Sequence, residues 1–178
     1  MVMVMMLATA LAVQDPSLVT GPDRLPDVPR VRSDDPTLAR LITQATEQSS
    51  TFRHELDLIG RTNGIVYVSK GRCGHGVHAC LVPTVDLAGP FRYLRVVVDL
   101  TRSEAETISS IGHELWHAIE ALMSDPPVTT NAGMVFFFRQ FGDGIRFETA
   151  EATKAGVAVF DEVRAARNRN RGSPRGRD

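Results

Sequence analysis

Apolar positions recur at two different periods along this chain. From Asp35 onward, Leu38, Leu41, Ile42 and Ala45 repeat at helical spacing. Asp35-Pro36 supplies a capping carboxylate and a proline at the first helical position. A second helix is predicted from Ser50, with Phe52, Leu56 and Ile59 on its apolar face and Thr62-Asn63-Gly64 ending it. The pattern then changes. Ile65 to Val68 reads as a strand of β-branched and aromatic residues. Gly71 to Gly76 reads as a tight connection. Ala79 to Val85 is the next strand, and Pro83 places it at a sheet edge. A turn over Asp86 to Pro90 leads into a third strand, Tyr93 to Leu100. The short connections predict a mostly antiparallel sheet.

Helical spacing returns after Thr101. Ser103 and Glu106 fit a capping box. Ile108, Ile111, Leu115, Ile119 and Leu122 mark one side of a helix of about twenty residues that stops before Pro126-Pro127. A shorter helix is predicted over Asn131 to Phe141, and a last one from Phe147 to Ala166. The fold class is therefore α+β, with a small, mostly antiparallel sheet against a helical cluster.

The ends of the chain read differently. Residues 1–12 are nearly all apolar, too short to span a bilayer, and Ala10-Leu11-Ala12 fits a signal-peptide cleavage pattern. This predicts export to the periplasm or medium, although no Lys or Arg precedes the apolar run. Residues 13–34 are rich in proline and charge and read as a linker. Residues 35–166 form the predicted domain. Residues 167–178 are basic and low in apolar content, which predicts a disordered tail. With 178 residues, 43% of them hydrophobic, and a formal net charge of −1, the chain suits one ordinary core. Nothing in that balance calls for nucleic acid or an anionic membrane as partner.

The chemistry is concentrated on the long helix. His113 and His117 are four residues apart and share a face, so both imidazoles can point at one tetrahedral ion. Glu114 can reach a water at that ion and act as general base. Such a site needs a third protein ligand. At about 100° per residue, Ala152, Ala155, Val159, Val163 and Ala166 make a narrow apolar stripe, and Glu148 falls in line with it. A carboxylate there is expensive to bury unless a cation binds it. Glu148 is the expected ligand, Glu151 at the stripe's edge is the fallback, and Glu120 is read as a supporting or surface residue. The blander alternative is a helix whose histidines and glutamate make ordinary hydrogen bonds.

Arg72 to Cys80 gathers Cys73, His75, His78 and Cys80. Their spacing is unlike paired Cys-x-x-Cys zinc sites, and an exported chain favours a Cys73–Cys80 disulfide. His75, His78, Tyr67 and Tyr93 are candidates for stabilising an oxyanion, and the sequence does not rank them.

On His113, Glu114 and His117 the chain resembles the zincins, the zinc metallopeptidases with a His-Glu-x-x-His helix, and the gluzincins more narrowly if Glu148 is the third ligand. It is also similar to small exported bacterial proteins that share three blocks: Gly71 to Gly76 with Ala79 to Leu81, Gly112 to His117, and Phe147 to Thr149. The resemblance implies a zincin-like fold, a zinc triad of His113, His117 and Glu148, and an edge strand that lines the cleft, and it implies no substrate; the chemistry of the motif itself makes hydrolysis of a peptide or related amide the expected activity. The Asn-Glu-x-x-Ser-Asp signature of large gluzincins is absent around Glu148. The alternatives are a zinc-binding scaffold without catalysis, or an exported interaction domain with an accidental motif.

Overall fold

The computed structural model describes residues 28–74, 76–142 and 147–172. The predicted signal peptide, most of the predicted linker, His75 and the last residues of the tail lie outside the described residues. The elements follow the order β1 (Val31–Arg32), α1 (Pro36–Gln48), α2 (Ser50–Gly60), β2 (Gly64–Lys70), β3 (Ala79–Leu81), β4 (Asp86–Ala88), β5 (Phe91–Val98), α3 (Glu104–Leu122), α4 (Asn131–Phe141) and α5 (Ala150–Gly172). The fold is α+β, with one sheet packed against the helices.

Local chemistry sets the helix starts. Asp35 accepts hydrogen bonds from the N–H groups of Thr37 and Leu38, at 2.8 and 3.1 Å. Ser49 accepts from Phe52 N–H at 3.0 Å. Ser103 and Glu106 close the capping box at the head of α3. These contacts satisfy donors that the first helical turn leaves open.

The sheet is mixed, not mostly antiparallel. Its order is β1-β2-β5-β3, with β4 also on β5. β1 and β5 run parallel to β2, while β3 and β4 run antiparallel to β5. The short-connection rule holds for the β4–β5 hairpin, which turns at Gly89 with φ 56°. It fails between β2 and β3, because β5 inserts between them. The chain rises along β2, descends through β3 and β4, and rises again along β5. That return brings β2 and β5 side by side in the same direction. The predicted strand Ala79 to Val85 is broken after Leu81, with Pro83 in the break, and it does lie at the sheet edge.

Two boundaries also differ. Val31 and Arg32, inside the predicted linker, pair with Val66 and Tyr67. Their N–H and C=O groups find partners on β2, which outweighs the local proline content. Helix α5 starts at Ala150 and continues to Gly172, past the predicted end at Ala166.

The core lies between one sheet face and the helices. Val66, Val68, Leu94, Val96 and Val98 from the sheet meet Ile108, Ile111, Leu115 and Ala118 of α3. The predicted stripe Ala152, Ala155, Val159, Val163 and Ala166 is buried throughout. Small residues let α3 and α5 approach closely. A Cβ on Gly112 would stand 2.9 Å from a Val159 methyl, and one on Gly156 would stand 3.1 Å from His113 Cβ. Ser109 ties the pair by donating to the Gly156 carbonyl at 2.8 Å.

Arg92 secures the far end of α3. It is buried and donates to the carbonyls of Leu122, Val128 and Ala121. A cation is favoured at a helix C-terminus, where carbonyls lack partners. Together these contacts hold α3 rigidly between β5 and α5, with His113 and His117 midway along it.

Candidate metal centre

His113, His117 and Glu148 each bring one ligand atom to a common point, all within 4.8 Å of one another. Glu148 Oε1 lies 3.1 Å from His113 Nε2 and 3.7 Å from His117 Nε2. The group could hold a metal ion. His117 is 7% exposed at its side chain, His113 22% and Glu148 42%, so the group is most covered at His117 and most open at Glu148.

Glu148 arrives by a different route from the one its spacing suggests. It lies ahead of α5 rather than in its first turn. Phe147 before it takes the left-handed backbone, φ 59°. Thr149 after it caps the helix, its Oγ accepting from Ala152 N–H at 3.2 Å. Left-handed backbone is uncommon for a bulky residue and marks a segment whose surroundings fix it. Glu151, the fallback ligand, is not brought to the group. Its side chain is exposed and pairs with Lys154 at 3.1 Å.

Glu120 stands behind His117. Its Oε2 lies 3.0 Å from His117 Nδ1, and its Oε1 accepts from the Thr149 hydroxyl at 2.7 Å. A carboxylate on Nδ1 fixes the proton there and leaves Nε2 free as a ligand. Burial lowers the His117 pKa, but the Glu120 hydrogen bond and the nearby carboxylates outweigh it and leave the pKa raised. For His113, burial prevails and the pKa is lowered, against the pull of Glu148. Phe138 packs its ring edge-on against His117, with centroids 5.3 Å apart. Glu120→Gln is expected to weaken metal binding by about 10- to 100-fold while the fold survives. Titration with a chromophoric zinc chelator measures this, and unchanged affinity would refute the orienting role.

Glu114 is buried beside the group, 4.0 Å from His113 Nε2. Its other oxygen accepts from the Leu81 N–H at 2.6 Å. Burial pushes its pKa up to about 7, against the opposing effects of His117 and of the Leu81 hydrogen bond. The edge strand thus touches the motif helix through a backbone donor, a contact that spacing along the chain does not reveal.

These residues floor a cavity of about 840 Å³. Val77, the strand Ala79 to Leu81 and Pro83 border it, with Phe138 and Phe147. The Cys73–Cys80 disulfide is present, with Cα atoms 6.1 Å apart, and Cys80 itself faces the cavity. The oxyanion candidates fare differently. His78 accepts from Arg102 and lines a separate hollow beside Ser109 and Phe160. Tyr67 and Tyr93 stack on each other on the sheet, and neither lines the cavity. None of these three lines the cavity.

Among the described residues, no helix is long and apolar enough to cross a membrane. The chain matches no known family model, no curated protein and no solved structure.

Proposed function

We propose that the protein is a zinc-dependent peptidase or related amide hydrolase. The reading is carried by one observation: three ligand atoms, from His113, His117 and Glu148, meet on the floor of an open cavity with Glu114 beside them. Two imidazoles and one carboxylate form the donor set of catalytic zinc sites that keep a fourth position open. A bound zinc ion would polarise a substrate carbonyl and make a nearby water acidic. The chain supplies the rest. Glu114 takes the proton of the attacking water and passes it to the leaving amine. The Leu81 N–H holds one Glu114 oxygen, which keeps the carboxylate fixed beside His113. Glu120 keeps the His117 ring turned so that Nε2 faces the ion position.

A peptide is the favoured partner. The sheet ends at β3, and Ala79, Cys80 and Leu81 border the cavity. An extended peptide can pair with such an edge. The disulfide fits the oxidising compartment that the apolar N-terminal stretch points to.

The test compares zinc-loaded wild type with Glu114→Gln on a defined peptide mixture read by mass spectrometry. Wild type is expected to cleave. The variant keeps its zinc and loses at least about a hundredfold in rate. Equal cleavage by the variant would remove Glu114 from the role. A zinc-loaded wild type that cleaves nothing would favour the non-catalytic scaffold.

A further inference from the structure

Glu120 lies in the last turn of α3 and is held from two directions. Its Oε2 faces His117 Nδ1 at 3.0 Å, and its Oε1 accepts from the Thr149 hydroxyl at 2.7 Å. The two oxygens of one carboxylate thus join α3 to the head of α5. Thr149 directly follows Glu148, whose Oε1 lies 3.1 Å from His113 Nε2. One residue therefore meets the metal group twice, through the backbone at Glu148 and through its hydroxyl at Glu120.

The Thr149 hydroxyl is used both ways. It has one proton to give and lone pairs to receive. The proton goes to Glu120, and the oxygen accepts from Ala152 N–H at 3.2 Å, which caps α5. The cap fixes where this oxygen stands, and the donated proton then fixes Glu120 Oε1. The two oxygens of a carboxylate share one plane, so holding Oε1 also sets where Oε2 points. Glu120 is 18% exposed at its side chain, so little water stands ready to replace a lost donor. Thr153, one turn later, reaches Glu148 Oε1 at 3.2 Å, but it is exposed and its one proton also faces the Thr149 carbonyl at 3.1 Å. Thr149 makes the firmer link.

We infer that Thr149 is a positioning residue for the metal centre: acting through Glu120, it turns His117 so that Nε2 faces the ion position. This rests on the zinc reading of His113, His117 and Glu148. A helix cap of the ordinary kind would serve only the stability of α5.

The test is a double-mutant cycle of Thr149→Val with Glu120→Ala in the full chain, read as zinc affinity against a chromophoric chelator. Valine keeps the shape of threonine and loses both hydrogen bonds, whereas Thr149→Ser keeps them. Thr149→Val is expected to weaken zinc binding by about tenfold, and Thr149→Ser to match wild type. With Glu120→Ala in place, Thr149→Val should cost little more, because the route to His117 is already broken. Nitrogen NMR of the metal-free protein reads the His117 tautomer at alkaline pH, where the ring is neutral. The proton should sit on Nδ1 in wild type and Thr149→Ser, and divide between the two nitrogens in Thr149→Val. An equal loss of affinity with and without Glu120, or an unchanged tautomer in Thr149→Val, would reduce Thr149 to a cap and overturn the inference. No zinc binding by wild type, with the tautomer change intact, would overturn the zinc reading and leave Thr149 orienting His117.

Discussion

Replacing Glu55 with glutamine is expected to stabilise the protein at neutral and alkaline pH and to change little near pH 4. Glu55 sits on α2 with no measurable exposure, and neither of its side-chain oxygens has a hydrogen-bond partner among the described residues. Gly112 makes room for it, since a Cβ there would stand 3.3 Å from Glu55 Oε2. Burial, with the negative charge of Glu162 nearby, raises its pKa from 4.5 to about 9. The folded state therefore holds this proton while the unfolded chain has released it. Between those two pKa values the unfolded state binds fewer protons, so stability falls as pH rises, by about 1.4 kcal/mol per pH unit. By pH 7 the accumulated cost is about 3 kcal/mol, and it saturates above the folded pKa. Glutamine has the same shape and no proton to lose. Urea unfolding of both proteins at pH 4, 7 and 9 measures the difference. Equal dependence on pH in the two would mean that Glu55 is ionised in the folded state and stabilised by an unseen partner.

Glu55 also illustrates what periodicity conveys and what it omits. The apolar face read on α2 was Phe52, Leu56 and Ile59. The buried set is Phe52, Glu55 and Ile59, with Leu56 only partly covered. Spacing alone admits either face, and a glutamate is assigned outward by its usual cost of burial. The missing information is the neighbour. Gly112 on α3 leaves a pocket that only the folded arrangement reveals.

The same division runs through the rest of the molecule. The heads of α1 and α3 were legible because their capping side chains bond to donors two or three residues away, whereas the Ser49 cap of α2 carried no distinguishing signal. The placement of His113 and His117 on one face followed from helix geometry. The parallel pairing of β2 with β5 was not legible, since it depends on which strand inserts between β2 and β3 rather than on any turn. The Leu81 contact to Glu114 joins residues 33 positions apart and involves a backbone donor, so no side-chain pattern announces it. Glu148 is the intermediate case. The apolar stripe favours it over Glu151, and the structure brings Glu148 to the two histidines, in a group that could hold a metal ion, while Glu151 pairs with Lys154 in solvent. Yet helical spacing presupposes a helical turn at Glu148, where the chain has left-handed backbone at Phe147 and a Thr149 cap. The apolar stripe fixed the direction of α5, and the cap decided how the residue before it points.

That distinction gives the metal prediction its form. Zinc-loaded wild type should carry about one ion per chain, and His113→Ala or His117→Ala none. Glu148→Ala should lose the ion on dialysis, while Glu151→Ala should keep it, because Glu151 pairs with Lys154 in solvent. An ion at a thousandfold above its dissociation constant adds about 4 kcal/mol. For a chain of this size that raises the melting temperature by roughly 10 °C, and a chelator should reverse it. The metal-free protein should stay folded. His113 Nε2 lies 3.1 Å from Glu148 Oε1, so imidazole and carboxylate partly satisfy each other without an ion. The core beneath them, from Ile111 to Ala118, does not depend on that contact. Mass spectrometry under native conditions counts the ion, and calorimetry with and without chelator measures the stability it adds. Zinc kept by Glu148→Ala and lost by Glu151→Ala would reassign the third ligand. Identical melting of wild type with and without zinc would remove the metal centre and the hydrolase reading with it.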